Sequence, residues 1–239
     1  MSSLHEFAAH MDWWGLLSLL ISGCAALLCI TIHELAHGLM ACRLGDPTAK
    51  EAKRLTLNPI RHIDPIGLLM MLVAKVGWAK PVPVDMRYFR RPKRDMALTA
   101  LAGPASNFLL ALIALALCSL IGYFAPFNLA VLLLLCFLSH VALLSVGLGI
   151  FNLIPISPLD GSKVLLALLP DKIYYMILRY ERYAMLLLVL LTILGVFQHP
   201  LSVLIFGVLK NLCHLTRFPL PAVLAYQDIS YLLSLTGLG

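Results

Sequence analysis

The sequence predicts an all-α polytopic membrane protein with a small β element. Hydrophobic residues make up 61% of the chain and charged residues 13%, about half the charged share of an ordinary soluble domain. The apolar residues also gather into stretches, three of them long enough for a helix to cross a hydrocarbon core of about 30 Å. The basic residues complete the pattern. Twelve of the 18 Lys and Arg fall between Arg43 and Arg94, and the others lie near further span ends. A net charge of +6 could suggest a nucleic-acid partner, but this distribution is that of cytoplasmic loops under the positive-inside rule, and no nucleic acid is expected. A length of 239 residues fits one membrane-embedded domain, 1–239, with no room for a large soluble module.

The first span runs from Trp13 to about Ala41 and opens on an aromatic pair, Trp13-Trp14, suited to the membrane interface. Glu6 and Asp12 precede it without Lys or Arg, so no cleavable basic leader is expected. Arg43 follows its other end. The N-terminus is therefore expected outside and the Arg43 end near the cytoplasm. Leu44-Gly45-Asp46-Pro47 is turn chemistry that stops the helix. Arg54 to Asn58 alternates weakly and reads as a short strand. Ile66 to Val76 is apolar but about eleven residues long, too short to span, and reads as a re-entrant or membrane-surface segment. Pro81-Val82-Pro83-Val84 is extended.

The second span is about Met96 to Phe124 and the third about Leu129 to Ile154, joined by a short uncharged turn around Pro126. The stretch Asn152-Leu153-Ile154-Pro155-Ile156-Ser157-Pro158-Leu159-Asp160-Gly161 then breaks the helix at membrane depth, where a break is tolerated if it lines a cavity. Asp171 to Arg182 reads as an amphipathic cytoplasmic segment. Ala184 to Phe197 and Leu201 to Leu215 are short apolar stretches, read as a tight helical hairpin around His199-Pro200. The six cysteines, Cys24, Cys29, Cys42, Cys118, Cys136 and Cys213, form no C-x-x-C pair and read as small buried hydrophobes.

The chemistry concentrates at the end of the first span, in His33-Glu34-Leu35-Ala36-His37. In H-E-x-x-H the two histidines lie on one helix face and can share one zinc ion, and the glutamate reaches the water such an ion would hold. Ionisable side chains this deep in an apolar helix are costly and mark a functional site. A catalytic zinc takes three protein ligands and keeps one position open. No extension of the motif supplies the third. Asp160 is the remaining acid in an apolar context and lies at the same expected depth. It has two readings, a helix cap for Gly161 to Leu169 or the third ligand, and the neighbouring motif favours the ligand. Asn107, after the close-packing pair Gly103-Pro104, and Asn152 are either interhelical hydrogen-bonders or donors to a substrate backbone or a polarised carbonyl. His140 reads as a hydrogen-bonder within the bundle, His62 as structural and Met70-Met71 as anchors.

These segments together resemble the site-2 proteases, the intramembrane zinc metalloprotease family. The resemblance rests on His33 to Gly38 and on Asn152 to Gly161, which is similar to the family's Asn-Pro-Asp-Gly segment. It also rests on Leu44 to Thr48, Leu57 to Gly67, Gly77 to Val84 and Ala102 to Asn107, and it covers roughly Thr31 to Ala167. It implies one Zn2+ per chain bound by His33, His37 and Asp160, a zinc site between transmembrane helices, and Glu34 as the residue that activates water. It implies an intramembrane endopeptidase acting on peptide bonds in or near transmembrane segments, with a membrane-protein substrate and the lipid bilayer as partners. No oligomeric state is implied. The expected place is a bacterial or archaeal inner membrane, multi-pass, with the active site near the cytoplasmic side. A substrate helix would have to unwind, and pairing with the strand near Arg54 to Asn58 is expected. Relatives that insert a PDZ domain need more than the soluble stretch from Arg43 to Asp95 offers, and nothing after Asp160 resembles a CBS pair. The rival reading is a non-catalytic zinc-binding membrane chaperone or transporter subunit; the presence of Glu34 and the clustering of the acids at one depth argue against it.

Overall fold

A computed structural model describes residues 13–65, 67, 79–126 and 128–228. Three long helices form its body: α1 (Trp13–Arg43), then, after the short α2 (Thr48–Glu51), α3 (Pro92–Phe124) and α4 (Leu129–Asn152). α1, α3 and α4 are each long and apolar enough to cross a bilayer. At 1.5 Å per residue α1 is about 46 Å long, so it outruns a ~30 Å core and carries its final turns into the interface. The short turn at Pro126 is as expected; Asn128 caps α4 by accepting a hydrogen bond from Val131 N at 3.0 Å.

The three helices pack against one another through small residues. Ala25 and Cys29 of α1, Ala114 and Cys118 of α3 and Ala142 of α4 are buried in one cluster. Without water to drive helices together in lipid, such residues let the backbones come close enough for dispersion and interhelical hydrogen bonds to act. One such bond joins α4 to α1, from Ser145 Oγ to Cys29 Sγ at 3.1 Å. The large side chains point the other way. Leu16, Leu19 and Leu20 on α1 and Leu109, Ile113, Leu117 and Leu120 on α3 are exposed, while Thr31, Thr99, Asn107, Ser139 and Ser145 are buried. An apolar exterior around a partly polar interior is the arrangement a hydrocarbon solvent selects.

After α4 the chain turns through Leu153–Leu159 into α5 (Asp160–Ala167), followed by α6 (Asp171–Arg179), α7 (Glu181–Ile193), α8 (Gln198–Thr216) and α9 (Leu220–Ala225). The α7–α8 junction differs from the expected hairpin. The chain bends by 84° between Tyr183–Ile193 and Gln198–Thr216, and the break falls before His199-Pro200, where Gly195 has φ +73°. Pro200 lies in the first turn of α8, where a missing N–H costs no helical bond.

Among the described residues, the expected β element is reduced to one antiparallel bridge between Ile63 and Ala79. Arg54 to Asn58 is not a strand; it is a bent segment. Thr56 N turns back to Arg54 O at 3.0 Å, and the Asn58 side chain caps the 3-10 turn Pro59–His62. Arg54 is buried because its guanidinium serves another segment, with Nη2 donating to Lys80 O at 2.8 Å. Apart from Gly67, Ile66 to Val76 lies outside the described residues, as does the segment before Trp13.

Candidate metal centre

The site forms at one end of the three-helix bundle. α1 brings His33 and His37 four residues apart, hence on one face. The break after α4 brings Asp160, the first residue of α5; the N-cap of that helix is Leu159, and no side chain caps it. Asp160 is therefore not spent on the helix terminus. Its Oδ2 lies 3.1 Å from His33 Nε2 and 3.2 Å from His37 Nε2, and the two Nε2 atoms are 3.0 Å apart. Two imidazole nitrogens and a carboxylate oxygen converge here at distances that either a shared proton or a metal cation among them satisfies. Tetrahedral ligands at roughly 2.05 Å from zinc stand about 3.3 Å from one another, so this nearly equilateral triangle fits a single such ion.

The neighbours hold these three side chains in place. His37 Nδ1 is 2.7 Å from Thr99 O. A carbonyl can only accept, so Nδ1 carries the proton and Nε2 keeps its lone pair for a metal. The His33 and His37 rings meet edge to face with centroids 4.6 Å apart. α3 can approach them because residue 103 is glycine: a Cβ there would lie 2.5 Å from His37 Cε1 and Nε2 and 2.6 Å from His33 Cε1. A Cβ on Gly161 would lie 2.2 Å from Leu153 O, so the absence of a side chain lets α5 begin tightly against the end of α4. Burial alone would favour a neutral Asp160. The charge of Lys163, whose Nζ is 3.7 Å from Oδ1, acts against that burial and favours the carboxylate.

Glu34 follows His33 directly, and its Oε2 accepts a hydrogen bond from Val82 N at 2.8 Å. Asn107 lies one turn beyond Gly103 on the same face of α3; it is fully buried, and neither amide atom has a hydrogen-bond partner. Asn152, at the end of α4, donates from Nδ2 to Leu148 O at 3.0 Å within its own helix. His140 likewise bonds within its helix, from Nδ1 to Cys136 O at 2.8 Å. His62 Nε2 lies 2.9 Å from Thr56 O and helps shape the loop. Met70-Met71 lie outside the described residues. All six cysteines are free; Cys29, Cys118, Cys136 and Cys213 are buried, whereas Cys24 is exposed.

Sequence reasoning singled out the metal-type residues and missed the backbone groups that serve them, Thr99 O and Val82 N. Main-chain atoms leave no mark in side-chain identity. Gly103 was visible as a packing residue, but what it packs against was not.

An apolar helical bundle with two histidines, an aspartate and an adjacent glutamate at one end defines an integral membrane protein of metallopeptidase type. Comparison with known proteins agrees. The model of peptidase family M50 matches residues 120–195, which include Asp160. The chain is 40% identical over 163 residues to "Putative zinc metalloprotease YwhC" of Bacillus subtilis, covering 67% of this chain and 74% of that protein. It is 31% identical over 166 residues to "Putative zinc metalloprotease Rip2" of Mycobacterium tuberculosis, covering 67% of this chain and 61% of that one. Over 155 residues it is 31% identical to the protein of that name from Mycolicibacterium smegmatis, covering 63% and 57%. No solved structure matches. The chain belongs to peptidase family M50, the site-2 protease family.

Proposed function

We propose that this chain is an intramembrane zinc endopeptidase that hydrolyses peptide bonds in or near transmembrane segments of other membrane proteins. The observation that carries the reading is the triangle of His33 Nε2, His37 Nε2 and Asp160 Oδ2 at 3.0–3.2 Å, with Glu34 beside it on the same helix. His33, His37 and Asp160 would hold one zinc per chain, which when bound supplies a Lewis acid that brings water to a reactive pKa near 7. Thr99 keeps the His37 proton on Nδ1. Glu34 takes a proton from water on a carboxylate oxygen and returns it to the leaving amine. Asn107, buried with both amide atoms free, would donate to the scissile carbonyl or the substrate backbone. Asn152 would serve the substrate in the same way by exchanging its bond to Leu148.

A transmembrane substrate has its carbonyls hydrogen-bonded within a helix and must unwind locally before attack. Water must reach the centre, and the basic loops around it support access from the cytoplasmic side. A bacterial or archaeal inner membrane is the proposed location. The test uses purified protein with zinc in proteoliposomes, together with a single-span substrate whose helix is weakened by Gly or Pro. Cleavage by the wild type and none by Glu34→Gln is expected. Intact substrate with the zinc-loaded wild type, or equal cleavage by Glu34→Gln, would overturn the reading.

A further inference from the structure

The hydrogen bond from Val82 N to Glu34 Oε2, at 2.8 Å, is the sole one made to that carboxylate among the described residues. We propose that the Val82 backbone amide is a positioning group for Glu34: it fixes one carboxylate oxygen so that the other faces the metal centre. This inference rests on the reading of Glu34 as the base.

The segment that carries the amide is held on both sides of Val82. Before it, Lys80 N donates to His62 O at 2.9 Å and Arg54 Nη2 donates to Lys80 O at 2.8 Å. After it, Asp85 N donates to Asp46 Oδ2 at 2.8 Å, and Asp46 is fully buried. Val82 itself is 7% exposed. Its side chain lies over Gly38, one turn beyond Glu34, where an added Cβ would come within 3.1 Å of Val82 Cγ1. The strap thus meets α1 at the turn that bears the glutamate.

The flanking prolines sharpen the arrangement. Neither Pro81 nor Pro83 has an N–H, so Val82 offers the one amide between them. Pro83 also biases Val82 toward an extended conformation. A glutamate on a helix has three side-chain torsions and would otherwise sample several rotamers. A base must lie within hydrogen-bond reach of the proton it takes, and the amide narrows the carboxylate toward such a pose. If the contact merely fastened the strap, any residue that kept the strap in place would do. If it positions Glu34, the N–H itself is required.

Two variants separate these roles in the full chain purified in detergent with its zinc. Val82→Ala removes the side chain and keeps the N–H; Val82→Pro keeps an extended backbone and removes the N–H. Val82→Ala is the reference that accounts for the lost packing. Relative to it, Val82→Pro is expected to lower kcat roughly 10- to 100-fold, the range for losing a hydrogen bond to a charged group, with KM and zinc content matching Val82→Ala. Equal kcat for the two variants, with Glu34→Gln inactive, would overturn this inference and leave Glu34 as base; an active Glu34→Gln would instead remove the base. A second readout needs neither zinc nor activity, nor a folded Val82→Pro. In zinc-free protein labelled with 15N-valine, the Val82 amide proton, identified by its loss in Val82→Ala, should move upfield in Glu34→Ala. An unmoved resonance would overturn the inference.

Discussion

Replacing Gly103 by alanine adds one methyl group where α3 meets the histidine pair. The new Cβ would stand 2.5 Å from His37 Nε2 and Cε1 and 2.6 Å from His33 Cε1. Ordinary contact begins near 3.4 Å, so about 0.9 Å of space is missing. The rings cannot readily yield. His37 is tied by Nδ1 to Thr99 O at 2.7 Å, and both Nε2 atoms are fixed against Asp160. Either α3 shifts by most of an ångström, costing about 1–3 kcal/mol as overpacking, or a histidine leaves its ligand position. Displacing a metal ligand's support costs typically 10–100-fold in affinity, and that loss is the expected result. The assay is zinc competition against a graded chelator on purified protein, with thermal melting alongside. Gly23→Ala is the control, because a Cβ there meets nothing within 4 Å. It should leave zinc binding unchanged and can firm α1 by up to about 1 kcal/mol. If Gly103→Ala binds zinc as tightly as wild type at an unchanged melting temperature, the packing argument fails.

Other outcomes follow from the same geometry. Asp160→Ala and His33→Ala should each lose most of their zinc by elemental analysis; full retention in Asp160→Ala would move the third ligand elsewhere. Glu34→Gln should keep its zinc content and melting temperature while losing cleavage, since the amide is nearly isosteric yet cannot take the proton; activity within tenfold of wild type would remove it from that role. In a background without native cysteines, Tyr88→Cys should react with an impermeant thiol reagent from the cytoplasmic face only, as the basic loops require. Ile60→Cys and Lys80→Cys should label from that same face, and labelling from opposite faces would make Ile66 to Val76 a true span.

The long spans were legible because hydropathy alone decides them. Trp13 and Arg43 bound α1, and Phe124 and Leu129 flank the turn between α3 and α4 within a residue or two of expectation. H-E-x-x-H was legible because the candidate ligands and the proposed base lie within about one helical turn. Asp160 needed more, since an acid before Gly161 is equally good helix-start chemistry; what separates the readings is the approach of α5 to α1, a fact of packing. The loops were misread where side-chain alternation stood in for pairing. Arg54 to Asn58 alternates, yet it has no strand partner and its arginine reaches across to Lys80. The run that matters, Lys80 to Asp85, carries two prolines, which in isolation argue against a strand. The hairpin at His199-Pro200 failed similarly: proline is tolerated in a helix's first turn, and the bend formed at Gly195.

Small residues connect the fold to the site. Gly38 lets the strap settle on α1 beside Glu34, Gly103 lets α3 close on the histidines, and Gly161 lets α5 start hard against α4 and present Asp160. Each lies where a side chain would push a separate element away. Small residues also pack transmembrane helices, because association in lipid depends on close backbone approach. Assembling the bundle and assembling the ligand triangle are therefore largely one event. The three ionisable side chains of the triangle would be costly in hydrocarbon one at a time and become tolerable only when they meet. A metal bound by the finished triangle would stabilise the fold through the same contacts. Loss of the ion should accordingly loosen the contacts of α1 with α3 and α5 at the site end before it affects the lipid-facing turns near Trp13 and Phe124.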